Sequence, residues 1–171
     1  MTNTIQSIKT NRLEIKPYGS EDRMAMVELL TNEEIKETFM IPDFSSEEQV
    51  INMFERLKLN SHSETIFERG IYLKDQLIGF VNEVERSEDH IELGYVIHPI
   101  HKSNGYASEM LRSVIEELFR QGHRKVVAGA FEENEASFKV MQKCGMKMLG
   151  KEEEISYRGV THRCLYYGIE R

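Results

Sequence analysis

The chain has 171 residues, the size of one ordinary domain, and roughly 70% of the unfolded surface is buried on folding at that length, enough for a real core. Hydrophobic residues make up 40% and charged residues 30%, which excludes the disordered and fibrous classes. Twenty-two Lys and Arg against 29 Asp and Glu give a formal charge of −7, which argues against nucleic-acid or anionic-membrane partners, weakly favouring a cationic one such as an amine.

The apolar runs are too short to span a membrane, and Met1–Thr10 lacks a basic-then-apolar signal layout, so a cytoplasmic protein is expected. Cys144 and Cys164 are too few for a disulfide framework and are read as free thiols. With no internal repeat and only three prolines, residues 1–171 are expected to form a single domain.

Arg12 to Lys16 alternates and reads as a short strand ending at Pro17. Ser20 is placed to cap a helix carrying Met24, Val27 and Leu30. Ser46, with Gln49 three residues on, reads as a capping box before Val50, Phe54 and Leu57. Gly70–Lys74 and Leu77–Val84 read as a hairpin, and His90–Ile97 as a further strand. A helix from near Asn104 presents Ala107, Met110, Leu111, Val114, Ile115, Leu118 and Phe119 on one face and stops at Gly122. Lys125–Ala130 is a buried strand, Asn134 caps a helix running to Gly145, and Met148–Tyr157 and His162–Ile169 turn at Arg158-Gly159. The order predicts an α/β (α+β mixed) fold with helices packed on a mixed sheet.

Chemistry concentrates where the His90–Ile97 strand gives way to the loop His98–Gly105 and then a long helix. Unpaired N–H groups at a helix start carry partial positive charge and suit a phosphate or pyrophosphate. Gly105 permits close backbone approach, Ala107 and Ser108 are small, and His98, His101 and Lys102 add local positive charge. By spacing alone the segment is either an anion cradle or plain structure. It is neither a Rossmann fingerprint nor a P-loop, having one glycine and no Gly-Lys-Ser/Thr.

Lys102-Ser103-Asn104-Gly105-Tyr106-Ala107 resembles the acetyl-CoA loop, Q/R-x-x-G-x-G/A, of the GCN5-related N-acetyltransferases (GNAT). Tyr106-Ala107-Ser108-Glu109 is closest to the RimJ/RimL-type branch, and Asn134-Glu135-Ala136-Ser137 with Lys143-Cys144-Gly145-Met146 resembles its second signature. The resemblance runs from Arg12 to Arg171. It departs from the family at Lys102 and Ser103, at Met146 in place of a phenylalanine, and at Met141, where many relatives carry the tyrosine that protonates the leaving thiolate.

The resemblance implies the GNAT fold: about seven strands, splayed between His90–Ile97 and Lys125–Ala130, flanked by about four helices. It implies acetyl-CoA as cosubstrate; His98 and His101 are three apart with no third ligand visible, so no metal is expected. The pantetheine would pair with the backbone of Val96, Ile97 and His98 and touch Asn134. The pyrophosphate would sit over Lys102, Ser103, Asn104, Gly105, Tyr106, Ala107 and Ser108. An amine, either a protein N-terminal α-amine or a small amine, would attack the thioester directly. Glu92 corresponds to the family's strand glutamate and is the expected base, with Glu83 in reserve; Ser137 is the expected proton donor to the leaving sulfur. On the residues alone, Glu92 could equally pair with a cation, and Ser137 could simply bond its helix's first turn. Asp43, Phe44 and Tyr157 are candidate walls for the acceptor, and Glu152-Glu153-Glu154 reads as solvated, or as an acidic run that attracts a cationic acceptor. Two other readings stand beside this one: a catalytically weak acyl-CoA-binding module, and a phosphate-ligand protein unrelated to CoA.

Overall fold

The computed structural model describes residues 7–171, so the first six positions of the Met1–Thr10 reading lie outside the described residues. The elements are β1 (Ile8–Lys9), β2 (Leu13–Lys16), a 3-10 turn at Ser20–Asp22, α1 (Arg23–Thr31), α2 (Glu33–Thr38), α3 (Glu47–Ser61), β3 (Glu68–Leu73), β4 (Gln76–Arg86) and β5 (Ile91–Ile97). A second 3-10 turn, Pro99–His101, precedes α4 (Tyr106–Arg120), β6 (Lys125–Phe131), α5 (Glu135–Lys143), β7 (Lys147–Tyr157) and β8 (Val160–Glu170). The described strands form an eight-stranded mixed sheet.

Against the expectation, there is one strand and one helix more. β1 is two residues long, recognisable only through its pairing of Ile8 with Ile15. α2 spans six residues with one buried apolar side chain, Ile35, too short for a period to show.

The chain divides into two compact units, one holding the chain up to Asn82 plus Tyr95–Tyr106, the other Glu83–Gly94 plus Ala107–Arg171. In the first, β1, β2, β3 and β4 pair antiparallel in sequence order. Lys74 and Asp75 both adopt positive φ, the two-residue primed turn whose twist matches its flanking strands. Tyr18, Met26, Leu29, Ile35, Val50, Phe54, Tyr72 and Phe80 form its core. Ser46 caps α3 by accepting the Gln49 N–H, while the Gln49 side chain accepts from Ser45 rather than closing back on Ser46. Ser20 is not a cap: Asp22 accepts the Gly19 N–H at 2.8 Å, and the Ser20 hydroxyl accepts from the Lys58 ammonium at 3.1 Å.

In the second unit β5 and β6 run parallel over three pairs, from Ile91–Val126 to Leu93–Ala128, and the ladder ends before either strand does. β8 pairs antiparallel with β6 on one side and β7 on the other. Strand alternation divides the sheet's faces. One face carries Ile91, Leu93, Val126, Ala128 and Tyr167, with Phe138 of α5 stacked on Tyr167 at 5.2 Å. The other carries Glu92, Val127, Gly129, Phe131, Cys164 and Tyr166. α4 and α5 end alike: Gly122 and Gly145 take positive φ, and the residue after each donates back across the last turn, His123 to Leu118 and Met146 to Met141.

Candidate active site

In the first unit, β5 delivers Val96, Ile97 and then His98, whose N–H donates to the Ile78 carbonyl at 2.7 Å. His98 Nδ1 accepts from the Ile100 N–H, which leaves the proton on Nε2, 2.9 Å from Glu28 Oε1. Lys102 Nζ donates to Glu34 Oε1 at 2.9 Å. The expected positive charge of Lys102 is therefore matched by a carboxylate of α2, and His98 is tied by a hydrogen bond to one of α1. Such exposed pairs are worth at most about 1 kcal/mol, so a phosphate can take Lys102 over.

Ser103 and Gly105 both adopt positive φ, folding the loop tightly. Asn104 does not start the helix; its Nδ2 donates to the carbonyls of His101 and Lys102 at 3.0 Å each, and α4 begins at Tyr106. One residue escaped the sequence reading. Arg12 lays its guanidinium over the Tyr106 ring, 4.5 Å from the centroid, and a Cβ at Gly105 would meet Arg12 Nη2 at 3.4 Å. Alternation on a five-residue strand placed Arg12 on an outer face but gave no sign of the loop it reaches.

In the second unit, Ala107 and Ser108 form the first turn of α4, Ser108 being buried. The Cys144 thiol donates to the Ser108 carbonyl, and burial pushes its pKa up, so it is no ready nucleophile. Asn134 caps α5 as expected, its Oδ1 accepting the Ser137 N–H at 3.3 Å. Replacing Asn134 with Ala should lower stability by about 1 kcal/mol in chemical denaturation. Met141, in the position of the family's tyrosine, is fully buried and serves the core.

Glu92 is the second residue of β5, opposite Val127, and only 9% exposed. Burial pushes its pKa up; Lys151 opposes this, while Glu85 and Glu153 add to it. Glu83 accepts from Arg86 Nε at 2.8 Å, so its carboxylate is already engaged by a cation. On the Glu92 face, Val127, Phe131, Cys164 and Tyr166 cluster with Leu149, Ile155 and Tyr157. The acidic run is not merely solvated: Glu152 accepts from Arg163, and Glu153 accepts the Tyr166 hydroxyl at 2.8 Å.

Asp43 and Phe44 line a cavity of about 500 Å³ in the first unit, together with Val27, Lys36 and Val50. Among the described residues no helix is long and apolar enough to cross a membrane, and no group of three His, Cys, Asp or Glu is arranged to hold a metal.

The profile of the acetyltransferase (GNAT) domain family matches residues 12–147. The chain belongs to the GNAT family. This GNAT protein is an acetyl-CoA-dependent N-acetyltransferase. It is 28% identical over 159 residues to the uncharacterized N-acetyltransferase YoaA of Bacillus subtilis (strain 168), covering 90% of each chain. Its fold superposes with TM-score 0.84 on RimL, the ribosomal L7/L12 alpha-N-protein acetyltransferase, in complex with coenzyme A, at 18% identity over 96% of this chain and 98% of that one. It superposes with TM-score 0.83 on the Microcin C7 self-immunity acetyltransferase MccE in complex with acetyl-CoA and AMP, at 15% identity over 99% and 98%.

Proposed function

We propose that this enzyme, acting as one domain over residues 1–171 in the cytoplasm, acetylates a primary amine by direct attack, with Glu92 as the base. The acceptor is a protein N-terminal α-amine or a small amine, a reading supported by the RimL resemblance. The observation that carries it is the buried carboxyl of Glu92, whose raised pKa brings it nearer to that of the proton it must take. An α-amine, with pKa near 7.7–8.0, is already partly neutral at neutral pH, so a carboxylate suffices, directly or through one water.

Acetyl-CoA supplies the thioester when bound. The loop suits its pyrophosphate, since Gly105 presents no side chain and Arg12 and Lys102 stand at hand. The backbone of Val96, Ile97 and His98 and the side chain of Asn134 would hold the pantetheine, and Lys102 to Ser108 the pyrophosphate. Glu92 accepts the amine's proton as the carbon–nitrogen bond forms, and the Ser137 hydroxyl protonates the departing sulfur as the carbon–sulfur bond breaks. Met141, which stands in the position of the family's tyrosine, is buried in the core and carries no proton to give.

The test is thiol release from acetyl-CoA across a panel of peptides and small amines, beside calorimetric titration with CoA. The expected result is amine-dependent release with no acetyl-enzyme trapped on acid quench. CoA binding without amine-dependent release would leave an acyl-CoA-binding module, and no binding at millimolar CoA would overturn the CoA reading.

A further inference from the structure

β7 and β8 fall out of step beside Glu92. Met148 pairs with Tyr167 and Glu152 with Leu165, so β7 takes four steps where β8 takes two. The excess forms a bulge containing Lys151. Bulges bend a strand and re-aim side chains, and they concentrate beside active sites.

The re-aimed Lys151 places its ammonium 4.6 Å from the centroid of the Tyr166 ring and 3.4 Å from Glu153 Oε1. The other oxygen of that carboxylate, Oε2, accepts the Tyr166 hydroxyl at 2.8 Å, fixing ring and carboxylate together. The ring packs against Gly129, where a Cβ would approach its edge to 2.6 Å. Aromatic face and carboxylate thus converge on one point, and an ammonium stands there. Lys151 and Glu153 are about half exposed, at 48% and 47%, so solvent reaches that point. Along the same face the Gly129–Tyr166 pair is two residues from Val127, the partner of Glu92.

We infer that Tyr166 and Glu153 form the subsite that receives the acceptor's ammonium, for which Lys151 competes. The inference rests on the amine-acetylation reading and narrows it to acceptors that arrive as cations. An alkylammonium is held over the ring by its quadrupole and beside Glu153 by charge, next to the carboxyl that takes its proton. Lys151 sets a threshold: an acceptor must bind well enough to displace a tethered ammonium.

A simple alkyltrimethylammonium ion, which cannot be acetylated, is the probe. Titrated calorimetrically into the full chain, it should bind ~3- to 30-fold tighter to K151M than to the unchanged protein, and the gain should vanish in K151M/E153Q. In turnover, K151M should lower KM for cationic amines by a similar factor. Equal or weaker probe binding to K151M would overturn the subsite, as would a gain that survives loss of the Glu153 charge. A parallel CoA titration separates the two readings: failure there strikes acetyl transfer, whereas normal CoA binding with no response to K151M strikes the ammonium subsite alone.

Discussion

Glu92→Gln lowers turnover about 10²-fold or more while leaving the fold at least as stable at neutral pH. The two halves of this result have one cause. Burial raises the Glu92 pKa, so the folded protein favours the protonated carboxyl more than the unfolded chain does. Above the ordinary carboxylate pKa of about 4.3, holding the side chain ionised therefore costs folding energy, and an uncharged amide removes that cost. A carboxylate kept only to pair with a cation would behave oppositely, its loss destabilising the fold and sparing the rate. The same shift fixes the pH profile. As the proposed base, Glu92 works only when ionised, so the rate is expected to fall as pH drops through the raised pKa, with the acid limb displaced upward from that of an ordinary carboxylate. Steady-state kinetics against pH, with denaturation of both proteins, reads all of this; normal turnover in Glu92→Gln removes the residue from the role.

Gly79→Ala raises KM for acetyl-CoA and costs about 1–3 kcal/mol of stability, although residue 79 lies on β4 and corresponds to no cofactor contact. A Cβ there would stand 2.1 Å from the Val96 carbonyl oxygen and 3.1 Å from the Ile97 Cα. The obstruction is backbone, with no flexible side chain to yield, so β5 must shift. Val96 and Ile97 are the proposed pantetheine-pairing backbone, so that shift reaches the cosubstrate before the chemistry. Titration with CoA and urea denaturation measure the two effects; unchanged CoA affinity would show that β5 absorbs the methyl without moving its pairing edge.

What the sequence disclosed and what it concealed divide along the range of the interactions. α3, α5 and the Arg158-Gly159 turn were legible because their signals are local: Ser46, Asn134 and two successive positive-φ residues act within four positions. α2 was lost because six residues with one apolar position make no period. The loop from His98 to Gly105 was found, but its charge was misjudged, since Glu28 and Glu34 lie 70 and 68 residues away in sequence. Glu92 was legible from alternation and family resemblance together. Of its neighbours, Glu153 was legible only within an acidic run able to attract a cation; its meeting with Lys151 and Tyr166 was not, because the bulge that gathers them shifts the register between strands.

That bulge also bears on strand addition at the rim of the sheet. β7 and β1 are the outer strands of the sheet, and an outer strand with unmet backbone donors and acceptors is a template for another chain. β1 offers only two residues for such pairing. β7 is eleven residues long, but its register is broken between Met148 and Glu152, and five consecutive positions, 150–154, hold a glycine, a lysine and three glutamates. A straight run of β7 would invite strand addition. The kinked and charged one is a poorer template, so the feature that brings Lys151 over Tyr166 also makes the longer rim of the sheet less suited to strand addition.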